Sequence, residues 1–281
     1  MESSSPILTA HGAAIPAIGF GTSMLGGRAA EAVAAALEAG YRHIDTAWKY
    51  GTERGVGDGI RASGMPRGDI FLTTKVSHEY LRADDFERST NESLRTLRVD
   101  QVDLLLIHWP NPDIPLKETI GALVKMKRQG LTRHIGVANF TTVLLDQAIS
   151  LCQELYQEPL VTNQIEVHPY LDQTKLLAAC RRHGMIVTAY CPLGRGRLFG
   201  DSVLAEIACS KGRTIAQVAL RWLVQHGDII PIPRSSNPQR IAENFQVFDF
   251  TLSEPEMARI AALKRANGRI ANAMGRVGAW D

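Results

Sequence analysis

The chain has 281 residues, 45% hydrophobic and 21% charged, with a formal charge of +2, the balance of a globular protein long enough for an eight-fold α/β barrel. Its basic residues form no long run, which argues against a polyanionic partner such as nucleic acid, and no apolar stretch approaches the roughly 20 residues of a membrane-spanning helix. Cys152, Cys180, Cys191 and Cys209 lack CxxC or zinc spacing and MESSSPILTAHG lacks the basic start and apolar core of a secretory signal, so reduced thiols and a cytoplasmic location are expected.

Ile7–Leu8 and Ile15–Pro16 flank the turn AHGAA and predict a short N-terminal β-hairpin. Ile18–Thr22 reads as the first strand of a longer series, followed by the helix RAAEAVAAALEAG with Gly40 as its stop. Strand and helix then alternate: Tyr41–Ala47 and Glu53–Ser63, IFLTTK and DDFERSTNESLRTLR, VDLLLIH and KETIGALVKMKRQG, HIGVAN and TTVLLDQAISLCQ, VTNQIEV and TKLLAACRRHG. IVTAYCP leads through an insertion to the helices DSVLAEIACSKG and TIAQVALRWLVQHG. IIPIPR and NPQRIAENFQVF complete the series, and EPEMARIAALKR adds a last helix. Strands that are apolar throughout belong to a parallel sheet buried on both faces. Eight such units predict a closed (β/α)8 TIM barrel, and without a Ser/Gly/Pro-rich linker residues 1–281 read as one domain.

In such a barrel the reactive groups sit where strands end. Asp45 lies late in the second strand, Tyr50 on the loop beyond it, and Lys75, His108 and Asn139 close the next three; Gln164, Tyr190 and Arg234 follow in the last three. Each has a plainer reading: a lysine reaching solvent, a hydrogen-bonded core histidine, an asparagine capping the helix from Thr141, a tyrosine in the barrel wall. Together they make coherent chemistry. A carboxylate inside a strand is costly unless paired, and Lys75 can neutralise Asp45. The same ammonium is expected to bring Tyr50 below its ordinary pKa of about 10, so that the phenol can protonate a carbonyl oxygen. His108 can donate a second hydrogen bond to that oxygen. No GxSxG elbow or metal framework supplies an attacking group. A hydride donor fits best, although GFGTSMLGG and GRGRLFG lack the GxGxxG of a Rossmann cradle.

HIDTAWKYG, IFLTTK, LLLIHWP, IGVANF, TNQIEVHPY, AYCPLGRG and IPRSSNPQRIAENFQVFDF resemble, in order, the signature segments of the aldo-keto reductases over essentially the whole chain. Among subgroups the chain looks most similar to bacterial reductases of 2,5-diketo-D-gluconate and related dicarbonyls. The resemblance implies a catalytic tetrad of Asp45, Tyr50, Lys75 and His108 and an extended NADPH across the barrel mouth. Tyr190 would stack on the nicotinamide, Asn139 and Gln164 would bond its carboxamide, and Gly21, Thr22 and Asp45 would lie near its ribose. Leu193 and Arg195 would line the pyrophosphate path; Arg234, Ser235 and Arg240 would hold the 2′-phosphate and Asn244 the adenine. Guanidinium forks at a helix start suit a phosphate dianion, which favours NADPH over NADH.

The resemblance further implies reduction of small aldehydes or ketones, such as sugar-derived ketones, methylglyoxal and aromatic aldehydes, with no nucleic acid, membrane or protein partner. Trp48, Trp109 and His108, with His78, are candidate pocket residues, joined by the tail ANGRIANAMGRVGAWD, in which Trp280 is either surface packing or a lid. The chain departs from the family's pattern in having Ala138 for a serine, Arg234 for a lysine and Ser23-Met24 for a pocket aromatic. The loop Trp109–Leu116 is short, so an open pocket is expected. Two other readings exist. His43 and Asp45 share a strand face and with His108 could begin a hydrolase metal site, but IIPIPR offers no further ligand. A barrel that senses NADPH without turnover is also compatible with the fold, although a pure binder has no use for the Tyr50–Lys75 pair.

Overall fold

The computed structural model of the chain describes residues 5–271 and Trp280. It opens with the expected antiparallel hairpin, β1 (Ile7–Ala10) and β2 (Ala13–Pro16). The connecting His11 and Gly12 have φ of 47° and 82°, the positive values that a tight two-residue turn requires at both positions.

Eight parallel strands follow, each bonded to the next in chain order. They are β3 (Phe20–Gly21), β4 (His43–Asp45), β5 (Phe71–Val76), β6 (Val102–Ile107), β7 (Thr132–Ala138), β8 (Thr162–Glu166), β9 (Ile186–Tyr190) and β10 (Ile229–Pro231). Gly19 N–H donates to the Pro231 carbonyl and Gly21 N–H to that of Pro233, both at 3.0 Å, which joins β3 to β10 and closes the barrel. Prolines 231 and 233 have no N–H to return, so this seam is bonded in one direction only. For that reason the expected strands Ile18–Thr22 and IIPIPR shorten to β3 and β10. The seam is also tight: a Cβ on Gly19 would lie 2.6 Å from His43 Nδ1, and one on Gly21 2.9 Å from the Ile232 carbonyl.

The helices are α1 (Ala29–Glu38), α2 (Glu53–Ala62), α3 (Ala83–Leu97), α4 (Leu116–Arg128), α5 (Thr142–Tyr156), α6 (Thr174–Arg182), α7 (Ser202–Lys211), α8 (Ile215–Val224), α9 (Pro238–Phe245) and α10 (Glu254–Ala261). Thr141, Asp201, Thr214, Asn237 and Ser253 cap α5, α7, α8, α9 and α10 with their side chains. The cap of α5 is thus Thr141, and the plainer reading of Asn139 as a helix cap falls away. Apolar faces such as Ile120, Leu123 and Val124 of α4 pack on the outside of the strands. Inside the barrel a second cluster joins Phe71, Leu104, Val161, Ile186 and Ile230 to Ala10, Ala13 and Ile15 of the hairpin, which plugs the end where the strands begin. Among the described residues no helix is long and apolar enough to cross a membrane.

Candidate active site

Alternation along β4 turns His43 and Asp45 into the barrel and Ile44 outward. Asp45 is 1% exposed and Lys75, on β5, fully buried. Lys75 Nζ donates to Asp45 Oδ1 at 2.5 Å, to the Thr46 carbonyl at 2.8 Å and to the Tyr50 hydroxyl at 3.4 Å. Gln164 Nε2 donates to the other oxygen, Asp45 Oδ2, at 2.7 Å. Both carboxylate oxygens are therefore met, as a buried charge requires. After β4 the chain makes a 3₁₀ turn, Trp48–Tyr50, ended by Gly51 with φ 64°, which lifts Tyr50 over the strand ends. Its half-buried ring lies 5.0 Å from Lys75 Nζ and edge-on to His108 at 5.4 Å. The four residues expected to act together are in contact.

The expected acidification of Tyr50 is not what the geometry produces. Burial pushes the phenol well above its ordinary value, and the Asp45 carboxylate and Cys191 push it further. The reason is the order of distances. The ammonium lies closer to Asp45 than to the phenol, so Tyr50 faces a compensated pair rather than a bare cation. Burial also lowers Lys75, against the opposing pull of Asp45. Below this set, burial lowers His43 to about 4, with Asp45 pulling the other way, and its Nε2 meets Thr73 Oγ1 at 3.1 Å. Asp45, the carboxylate a metal centre here would need, has its two oxygens already held by Lys75 and Gln164. Among the described residues no group of three or more His, Cys, Asp or Glu side chains could hold an ion.

The mouth extends past β7 and β9. Asn139 has φ 63°; its Nδ2 donates to the His108 carbonyl at 2.9 Å, and its Oδ1 accepts from the Tyr190 hydroxyl at 2.7 Å. Asn139 and Gln164, expected to bond a carboxamide, are thus already engaged by the protein, each with a second amide N–H outside these bonds. Gly21 and Thr22 are buried beside Asp45, with Thr22 N–H donating to the Asp45 carbonyl at 3.0 Å. Beyond β9, Cys191, Gly194, Arg195 and Gly196 all have positive φ. This turn half-buries Leu193 and brings Arg195 to Cys191, where it offsets part of the rise that burial causes in the thiol.

Arg234 follows β10, and Ser235 Oγ accepts from Asn237 N–H at 3.1 Å. Asn237 Oδ1 caps α9 by accepting from Arg240 N–H at 3.1 Å, and Asn244 is buried on the same helix. Arg234 and Arg240 are exposed and pair with no carboxylate among the described residues. Two uncommitted guanidinium groups at a helix N-terminus are a donor set that fits a phosphate dianion.

On the substrate side, Trp48 packs edge-on against Tyr80 at 4.9 Å, and the His78 carbonyl accepts from Asn111 at 3.0 Å. Trp280 lies against Trp109 at 6.3 Å, beneath the Arg269 guanidinium at 3.7 Å, which puts it beside the loop that follows β6 and His108. Residues 272–279 and 281 of the tail lie outside the described residues. Sequence reasoning passed over Glu166, the last residue of β8, and His168 just beyond it, both fully buried side chains. The signal was present, since an acid in phase with Gln164 must also face the mouth.

Residues 17–265 match the Aldo/keto reductase family model. The chain is 40% identical to the methylglyoxal reductase DkgB of Escherichia coli O157:H7 over 95% of this chain and 100% of that one. It is 45% identical to an aldo-keto reductase of Mycolicibacterium vanbaalenii over 89% and 88%. A crystal structure assigned as a 2,5-diketo-D-gluconic acid reductase B has a TM-score of 0.96 at 47% identity, covering 100% of this chain and 99% of that one. The Bombyx mori aldo-keto reductase in complex with NADP has a TM-score of 0.88 at 34% identity, covering 97% and 96%.

Proposed function

The chain belongs to the aldo/keto reductase family and is an oxidoreductase; on that premise we propose that it reduces the carbonyl of small aldehydes and ketones with NADPH, Tyr50 being the proton donor. The observation that carries this reading is the set of contacts from Asp45 through Lys75 to Tyr50 and His108. When bound, the reduced nicotinamide supplies the hydride that a carbonyl carbon accepts. Tyr190, Asn139, Gln164, Gly21 and Thr22 would hold its nicotinamide end, and Leu193 and Arg195 its pyrophosphate. Arg234, Ser235 and Arg240 would take the 2′-phosphate and Asn244 the adenine.

The protein's own part is proton control. Burial keeps the Tyr50 phenol protonated, so it meets the substrate as an acid and hands its proton to the forming alkoxide. The phenolate left behind lies 3.4 Å from the Lys75 ammonium, which stabilises that charge once it exists. Asp45 holds Lys75 in place for this moment, and Gln164 holds Asp45. His108 donates a second hydrogen bond to the substrate oxygen and orients it. Trp48 and Trp109 form pocket walls.

The names of the relatives support small dicarbonyls, methylglyoxal and sugar-derived ketones among them, and the short loop after His108 leaves room for aromatic aldehydes. Cys152, Cys180, Cys191 and Cys209 are all unpaired thiols, which supports a reducing cytoplasm, where NADPH is at hand. The test is a carbonyl panel followed by loss of reduced-nicotinamide absorbance. Tyr50→Phe should keep NADPH affinity and lower kcat by roughly 10²–10⁴. Near-normal turnover in that variant would remove Tyr50 from its role, and tight NADPH binding with no turnover of any carbonyl would favour a cofactor sensor.

A further inference from the structure

We propose that Glu166 is a positioning residue that latches residues 265–271 at the barrel mouth and, through the contact of Arg269 with Trp280, limits the size of carbonyl admitted. The selectivity half of this proposal rests on the reductase reading above; the latch does not.

Glu166 closes β8 in register with Tyr190 and is fully buried. A carboxylate in that position must be met by donors, and three converge on it. His168 Nε2 donates to Oε1 at 2.8 Å. The backbone N–H groups of Ile270 and Ala271 reach Oε1 and Oε2, each at 2.7 Å. Those two amides lie 104 and 105 residues downstream, beyond α10, in a segment with no helix or strand to satisfy them. The match is specific to a carboxylate. Two oxygens on one carbon receive two successive N–H groups, whereas glutamine would turn an NH2 toward one of them.

The same segment is held a second time, on the loop after β8. Arg265 N–H donates to the Tyr170 carbonyl at 3.0 Å, and its guanidinium stacks 3.6 Å above the Tyr170 ring. Tyr170 in turn donates to Asp201, the cap of α7, at 2.7 Å. A Cβ on Gly268 would fall 1.9 Å from the Tyr170 carbonyl, so backbone lies directly on backbone here. Just upstream of the latched amides, Arg269 covers Trp280, and Trp280 meets Trp109, the neighbour of His108. By fixing the amides next to Arg269, Glu166 sets where that arginine and the Trp280 beneath it stand against Trp109, while its carboxylate oxygens are taken up by the latch.

The test combines hydrogen exchange with kinetics on the NADPH-saturated full chain, using methylglyoxal and a bulky aromatic aldehyde. Glu166→Gln, which keeps the shape, should release the amides of residues 269–271 by about tenfold or more while those of β7–β9 stay protected. Gly268→Ala should do the same with Glu166 intact. In both, kcat should stay within about threefold and kcat/KM for the bulky aldehyde relative to methylglyoxal should rise about tenfold, through KM. Trp280→Ala should reproduce the change in selectivity, and Glu166→Gln combined with Trp280→Ala should add nothing to it. Unchanged protection at 269–271 in Glu166→Gln overturns the latch. Lost protection with unaltered selectivity, with a loss confined to kcat, or with additive effects overturns the selectivity role. A wild-type chain inactive on every carbonyl would overturn the reductase reading and the selectivity role together, and exchange would still decide the latch.

Discussion

At the end of the barrel where its strands begin, Phe71, Leu104, Val161, Ile186 and Ile230 close on Ala10, Ala13 and Ile15 of the hairpin, all apolar. Where β4, β5, β8 and β9 end, the barrel holds Asp45, Lys75, Gln164, Glu166 and Tyr190, four of them buried and each bonded to a specific partner. Between the two runs a polar rung, His43 with Thr73 and Thr162 with Thr188, each at 3.1 Å. The floor is held by burial that depends on area and fit. The mouth is held by bonds that leave a buried group stranded when one partner is lost. Both ends thus contribute to stability but only the mouth carries the candidate chemistry, and the two ends should fail differently.

The sharpest separation should come from Lys75→Met. It removes the cation proposed to stabilise the Tyr50 phenolate and strands Asp45, so turnover should collapse and urea unfolding should report a loss of about 3–5 kcal/mol; a stable, active variant would contradict the pairing. At the floor, Ile15→Ala should cost about 2–5 kcal/mol in the same measurement yet leave kcat within about twofold, and a large fall in kcat would erase the division between the ends.

The middle rung should respond to acid. His43 titrates at about 4 in the folded chain against an ordinary value of 6.5, so the unfolded chain takes up the proton first. Nothing is lost above pH 6.5, and stability should fall by about 3 kcal/mol as the pH drops from 6.5 to 4. His43→Gln should show a shallower decline over that window. The smallest effect is an expected constancy. Because burial holds Tyr50 well above its usual value, the reductive kcat should stay level between about pH 6 and pH 9. A fall centred near neutrality would mean that Lys75 acidifies the resting phenol after all.

Local pattern carried much of this architecture. Apolar strands alternating with amphipathic helices marked the barrel, and the rule that reactive groups sit at strand ends led to Asp45, Tyr50, Lys75 and His108 before any geometry was known. Other features were illegible for physical reasons. Prolines 231 and 233 look like ordinary strand residues until their missing N–H groups fall on the seam against Gly19 and Gly21. Gln164 and Asn139 could be read as ligand donors, but only the packed mouth reveals that Asp45, His108 and Tyr190 already engage them.

The sequence by itself determined the alternation, the direction of the side chains along each strand and the family, because these follow from local periodicity and short motifs. Only the tertiary structure decided the acidity of Tyr50, which depends on burial and on Lys75 lying nearer Asp45 than the phenol. It alone also decided the partner of Glu166, because amides a hundred residues away reach a carboxylate only once the chain has folded back over the barrel.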